Sequence, residues 1–133
     1  MTKVFVDSSV WIDLVNGVHT TERDLLFDLI VQKNAMLGDL VLMEVLQGFH
    51  SDREFARVRD SLLEFEVVGL GGRDQALAAA ANYRFLRTKG VTVRKTIDVL
   101  IGTWCITNQT PLLHSDRDFD PLEEHLGLQV WRG

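Results

Sequence analysis

The sequence predicts an α/β fold built on a parallel sheet, and three observations predict it. Short apolar runs of strand character recur along the chain: VFV at 4–6, AMLG at 35–38, EVVGL at 66–70, PLLH at 111–114 and LQVW at 128–131. Segments of helical periodicity lie between them. The strands are apolar without alternation, the pattern of strands covered on both faces.

Each element has a local reason. VFV ends in Asp7, and VWIDLV then begins a helix for which Ser8 or Ser9 can serve as N-cap. Thr20 or Thr21 opens the next helix through ERDLLFDLIVQ, with acids in its first turn as the helix dipole prefers. Asp39 can cap LVLMEVLQGF, and Ser51 with Glu54 three residues on reads as a capping box for REFARVRDSLLEF. Glycines at 69, 71 and 72 break the chain before the alanine-rich helix RDQALAAAANYRFLRTK, which Gly90 closes. Thr96 is a candidate cap for TIDVLIGTWCIT, SDRDFD reads as a polar loop, and Asp120-Pro121 fits an N-cap followed by proline at the first helical position.

The 133 residues suit one domain, 1–133, with no repeat, low-complexity tract or linker. No stretch reaches the roughly 18 uninterrupted apolar residues of a membrane span, and the start, MTKVFVD, is too short for a signal h-region. A cytoplasmic protein without membrane contact is expected. The single cysteine, Cys105, has no internal disulfide partner, and the four histidines lack zinc-finger spacing. Any metal is therefore expected on oxygen ligands.

The net charge of −5 argues at first against a nucleic-acid partner. The average hides structure, however. Arg84, Arg87, Lys89, Arg94 and Lys95 fall within twelve positions. They form either a phosphate-facing patch or solvated charges around a helix end, where cations are favoured.

Four acids stand out from their surroundings. Asp7 directly follows the first strand and Asp116 lies just past the fourth, the positions at which open parallel sheets bind ligands. Glu44 and Asp98 each interrupt an apolar helix. A buried carboxylate without a partner either protonates or finds a cation. Each acid alone has an ordinary explanation, as a cap, an arginine partner or a dipole-favoured charge in a first helical turn. Their convergence on one hard divalent cation explains all four together.

The ordered set DSSVWID at 7–13, Glu44 in MEVLQG, TIDVLIG around Asp98 and LLHSDRDFD resembles the PIN-domain ribonucleases, and more narrowly the VapC toxins of bacterial toxin–antitoxin pairs. The resemblance covers essentially the whole chain. It implies a three-layer α/β/α fold with a five-stranded parallel sheet of order 3-2-1-4-5, which sets the first and fourth strands side by side. It implies that Asp7, Glu44, Asp98 and Asp116 are catalytic and bind Mg2+ or Mn2+ for hydrolysis of RNA phosphodiesters. It further implies a VapB-like antitoxin whose apolar helix lies in a groove while a basic side chain reaches the acids, and a homodimer. Trp11, Phe49 and Phe55 are candidate anchors for that helix. Asp118 or Asp120 is an accessory candidate acting through water, Ser9 resembles the family's small hydroxyl residue that hydrogen-bonds a site carboxylate, and His114 reads as structural.

Other motifs fail. Asp116, Asp118 and Asp120 have the 1-3-5 spacing of an EF-hand loop, but Pro121 and Gly127 stand where glycine and glutamate are needed. A haloacid-dehalogenase start at DRDF would leave no chain for the rest of that fold. A receiver-like phosphoacceptor domain shares the acid cluster but needs a lysine at the end of the last strand, which here ends in Trp131-Arg132. A PIN fold used only for binding would not need all four acids.

Overall fold

A computed structural model describes residues 2–133. Strand β1 (Val4–Val6) leads through helices α1 (Ser8–Val15) and α2 (Thr21–Val31) to β2 (Ala35–Gly38). Helices α3 (Asp39–Leu46) and α4 (Asp52–Leu62) connect β2 to β3 (Glu66–Val68). Helices α5 (Arg73–Thr88) and α6 (Thr96–Thr107) then return the chain to β4 (Leu112–Leu113), followed by a 3-10 turn (Arg117–Phe119) and α7 (Asp120–Leu126).

Among the described residues the sheet is parallel and four-stranded, in the order β3-β2-β1-β4. Its register pairs Val4 with Ala35, Phe5 with both Met36 and Leu112, and Val6 with Leu113. The expected fifth strand is corrected by this arrangement: LQVW contributes an isolated parallel bridge between Leu112 and Val130. The Leu112 N–H donates to Gln129 O at 2.9 Å and the Trp131 N–H to Leu112 O at 2.8 Å, and pairing stops there because β4 itself is two residues long.

Two β-α-α-β connections run from β1 toward β3, and the third doubles back across β1 to β4. With right-handed crossovers, that reversal places the helices on opposite faces. Accordingly α1 packs against α2 and α3, and α3 against α4, whereas α5, α6 and α7 contact one another. The core between the layers includes Phe5, Trp11, Leu37, Leu70, Ile101, Leu112 and Phe119. Strand order reverses between β1 and β4, so the carboxyl ends of these two strands open the crevice where ligands bind in such sheets.

Several caps differ from expectation for traceable reasons. Asp7, not Ser8 or Ser9, is the N-cap of α1 and accepts from the Ser9 N–H. Gly38 takes the cap position of α3, because the Asp39 carboxylate accepts instead from Leu40 N at 2.8 Å and from Leu70 N at 3.1 Å. Lys95 precedes α6 as its N-cap, and Asp120 is already inside α7 with Phe119 before it. Thr20 and Ser51 cap α2 and α4 as their sequence contexts predict.

Gly38 is required by packing. A Cβ there would lie 2.6 Å from Leu70 Cγ and 3.0 Å from Phe5 Cζ, both of them fully buried side chains. Gly38→Ala is expected to destabilise the fold by about 1–3 kcal/mol, the usual cost of overpacking a filled core. A fall in the urea midpoint at unchanged m-value checks this.

Candidate metal centre

The crevice at the β1–β4 edge gathers the acids. The Asp7 N–H donates to Leu113 O at 3.0 Å, which ties the end of β1 to β4. The buried Asp7 carboxylate accepts from the Ser9 hydroxyl at 2.7 Å and from the Ser9 N–H at 3.2 Å. Ser9 Oγ in turn accepts from the Ser115 N–H at 3.3 Å, so one hydroxyl joins the loops that follow β1 and β4. Burial raises the Asp7 carboxyl above its ordinary value, against the lowering effect of the Ser9 hydrogen bonds.

Asp98 lies in the first turn of α6 and is 4% exposed. Its Oδ2 is buried and has no hydrogen-bond partner among the described residues. Burial first, and then the charge of Asp7, pushes this carboxyl up to about 7, while Lys95 opposes the shift. Glu44, on the second turn of α3, is half-buried. Burial and the charge of Asp7 raise it, and Ser8 and Lys95 oppose the rise.

Asp116 behaves differently. Burial acts to raise it, but the Asp118 N–H, which donates to its Oδ1 at 2.9 Å, and Lys95 Nζ, 3.4 Å from its Oδ2, hold it below the ordinary carboxylate value. The same Asp118 hydrogen bond folds the predicted polar loop into the 3-10 turn and swings Asp118 back toward α6. One carboxylate oxygen from each of Asp98, Asp116 and Asp118 then lies within 4.8 Å of the others.

The acids named from sequence thus divide. Asp98 and Asp116 converge with Asp118, which the sequence left as an accessory. Asp7 and Glu44 stand outside this tight group, and the charge of Asp7 acts on both Asp98 and Glu44. Asp120 is exposed in the first turn of α7. His114 packs its ring 4.9 Å from that of Phe119 and accepts the Asp116 N–H at Nδ1, so its neutral ring buttresses the loop. Burial lowers its pKa, against the pull of Asp7.

Sequence reasoning missed the role of two basic residues. Lys95 and Arg94 face Asp116 and Asp118 directly. A legible signal existed: Lys95 stands three residues before Asp98 at a helix start, within reach of the same turn. Of the proposed anchors, Trp11 is core, 1% exposed with its indole N–H donating to Val6 O at 3.1 Å. Phe49 is half-buried, and Phe55 is exposed beneath the Arg59 guanidinium.

The donor set fits a hard divalent cation. Three carboxylates, one from α6 and two from the turn that follows β4, present oxygens to one point, and such cations are held by a few carboxylates plus water. A lone buried carboxylate oxygen without hydrogen bonds, as on Asp98, is costly, and a cation removes the cost. Among the described residues no helix is long and apolar enough to cross a membrane.

Comparison with known proteins agrees with this architecture. The chain is 24% identical over 129 residues, 96% of both chains, to VapC ribonuclease Mb1587 of Mycobacterium bovis, and equally to ribonuclease VapC11 of Mycobacterium tuberculosis. Among solved structures it superposes on VapBC2 from Rickettsia felis bound to a DNA fragment from their promoter, with a TM-score of 0.76 at 15% identity over 98% of this chain and 100% of that one. DNA-bound VapBC from Salmonella typhimurium follows with a TM-score of 0.74 at 17% identity over 98% of each chain. The PIN-domain family model matches residues 4–124, from the first residue of β1 into α7 and across all the acids described above, and the chain belongs to the PIN-domain family.

Proposed function

We propose that this chain, acting as a single domain over residues 1–133, is a metal-dependent endoribonuclease of VapC type. The observation that carries the proposal is the meeting of Asp98, Asp116 and Asp118 within 4.8 Å at the β1–β4 crevice, with Asp98 Oδ2 buried and unpartnered among the described residues. The names of the curated relatives point the same way.

Asp98, Asp116 and Asp118 would hold Mg2+ or Mn2+, with Asp7 and Glu44 adding negative charge behind them. When bound, such a cation polarises a phosphoryl oxygen and lowers the pKa of water. The protein's own groups do the rest. Ser9 fixes the Asp7 carboxylate so that its charge bears on the centre without swinging into it. Of the two carboxylates outside the tight group, Glu44 is half-buried where Asp7 is buried, and it would accept the proton of the attacking water. Water adds to phosphorus, the bond to the 3′ oxygen breaks, and that oxygen takes up a proton, leaving a 5′-phosphate and a 3′-hydroxyl. His114 takes no part in this scheme: its Nδ1 accepts the Asp116 N–H, and its Nε2 is buried, with no hydrogen-bond partner among the described residues.

Restraint by a VapB-like antitoxin, a homodimeric assembly and a cytoplasmic location belong to the same proposal. A small pocket lined by Ile12, Val15, Val45, Gly48 and Phe49 opens beside Glu44 and offers apolar contacts next to the acids. The structural neighbours are themselves VapBC complexes.

The test is incubation of the pure protein with single-stranded RNA, with Mg2+ or Mn2+ and with chelator. Cleavage confined to the cation samples is expected, and an oligonucleotide carrying one deoxyribose on the 5′ side of the mapped scissile phosphate should still be cut, because no 2′-hydroxyl is consumed. A 2′,3′-cyclic phosphate product together with complete resistance of the deoxy substrate would overturn the mechanism.

A further inference from the structure

Four of the five basic residues between 84 and 95 separate into two groups. Arg87 sits 6.0 Å from the Tyr83 ring centroid and Lys89 5.4 Å from that of Phe85, both pairs belonging to the α5 end of the run. Arg94 and Lys95 turn toward the acids. Arg94 Nη2 is 3.4 Å from each carboxylate oxygen of Asp118, and Lys95 Nζ is 3.4 Å from Asp116 Oδ2.

The two pairs are asymmetric. The Arg94 and Lys95 side chains are 81% and 57% exposed, whereas Asp118 and Asp116 are 18% and 25% exposed. The acids are set in the fold and the bases can swing. Contacts of this length with exposed partners are weak and readily exchanged. Yet the bases cannot leave the neighbourhood, because the Asp98 N–H donates to Lys95 O at 3.1 Å and ties the segment to the first turn of α6. Both bases occupy carboxylates that a divalent cation would need, so cation and bases compete for the same two carboxylates. A base displaced from its acid is left beside the crevice as an unpaired cation, and phosphate is an anion that guanidinium and ammonium groups bind well.

We propose that Arg94 and Lys95 are exchangeable counter-ions: they neutralise Asp118 and Asp116 in the cation-free protein, and on cation binding they transfer to non-bridging oxygens of the RNA backbone and position it. The proposal rests on the assignment of these acids to a divalent cation. Its consequence is linkage, since each ligand frees what the other needs and each therefore tightens the other's binding. Lys95 and Arg94 are positioning residues in this scheme.

Direct Mn2+ titration by calorimetry on the full chain, at one fixed ionic strength, separates the possibilities. Lys95→Met and Arg94→Gln should each bind Mn2+ more tightly than wild type, by roughly two- to fivefold, the worth of one exposed ion pair. In RNA cleavage the same variants should lose more in KM than in kcat, and Lys95→Arg should restore both the Mn2+ affinity and the KM toward wild type. A merely structural lysine would weaken Mn2+ binding or leave it unmoved. Unchanged or weaker Mn2+ binding in both variants, with the wild type binding Mn2+ normally, overturns the counter-ion proposal alone. A wild type that binds no Mn2+ overturns the metal assignment beneath it.

Discussion

Asp98→Asn is expected to lose RNA cleavage by on the order of a hundredfold or more, as removal of one preorganised electrostatic contact does, while the cation-free protein becomes more stable at pH 8. The two effects have one cause. In the native state the Asp98 carboxyl is held at about 7, against an ordinary value of 3.8. Between those values the folded protein holds a proton that the unfolded chain has released, so stability declines as pH rises from about 4 to 7. The contribution is intact below the ordinary value and lost above the raised one. The Asp98→Asn variant has no charge to bury at this position, so its stability profile should be flatter through this window. It should keep some slope, because Asp7 and Glu44 are also raised. Asp116 has the opposite sign: its lowered carboxyl stabilises above its ordinary value and loses that contribution in more acidic solution, outside the window. Thermal melts in chelator from pH 4 to 8, run beside a gel assay of RNA cleavage, measure both effects. A flat wild-type profile, or a variant that still cuts RNA, would break the connection between burial and chemistry.

Divalent cation should reverse that slope and raise the melting temperature of the wild type. A ligand that binds only the native state, at a hundred times its dissociation constant, stabilises by about 2.7 kcal/mol, which for a chain of this size is roughly 10 °C. The gain should grow with pH through neutrality, since the cation displaces the proton on Asp98. Asp98→Asn should show a small fraction of it. Differential scanning calorimetry with Mg2+, Mn2+ and chelator provides the measurement, and coincident melts in all three would remove the cation site from these acids.

How much of this was legible in the sequence depended on the range of the interactions involved. The strand-turn-helix at 4–15 was readable because its determinants are local: an apolar run, an aspartate, two serines and a helical repeat. The identity of the cap was not, since Asp7 and Ser9 share one hydrogen-bond system and either could be drawn as the first acceptor. The role of Asp39 was hidden because its partner, the Leu70 N–H, lies 31 residues away. LQVW has the composition of a strand, but strand length is set by the neighbour, and β4 offers two residues. At the candidate site, isolation of Asp98 in an apolar helix was visible from composition. The convergence of Asp118 was not, because it depends on the 3-10 turn that the Asp116 carboxylate induces. Aspartate side chains close such turns by accepting from the backbone two residues on. The separation of Arg94 and Lys95 from the other bases required the turn between α5 and α6, where Gly90 adopts φ 78° and redirects the chain.

The short, single-bridge pairing beyond β4 has a bearing on how the molecule behaves at high concentration. A parallel sheet that ended in a long free strand would offer a row of N–H and C=O groups to any other extended chain. Here Leu112 spends its outward N–H and C=O on Gln129 and Trp131, and two charge-assisted hydrogen bonds from Arg132 to Glu123, at 2.8 and 3.0 Å, fasten the segment after that bridge to α7. The opposite border is three residues of β3, with Glu66 and Val67 exposed. Both margins of the sheet are therefore poor templates for strand addition, one covered and the other brief and charged.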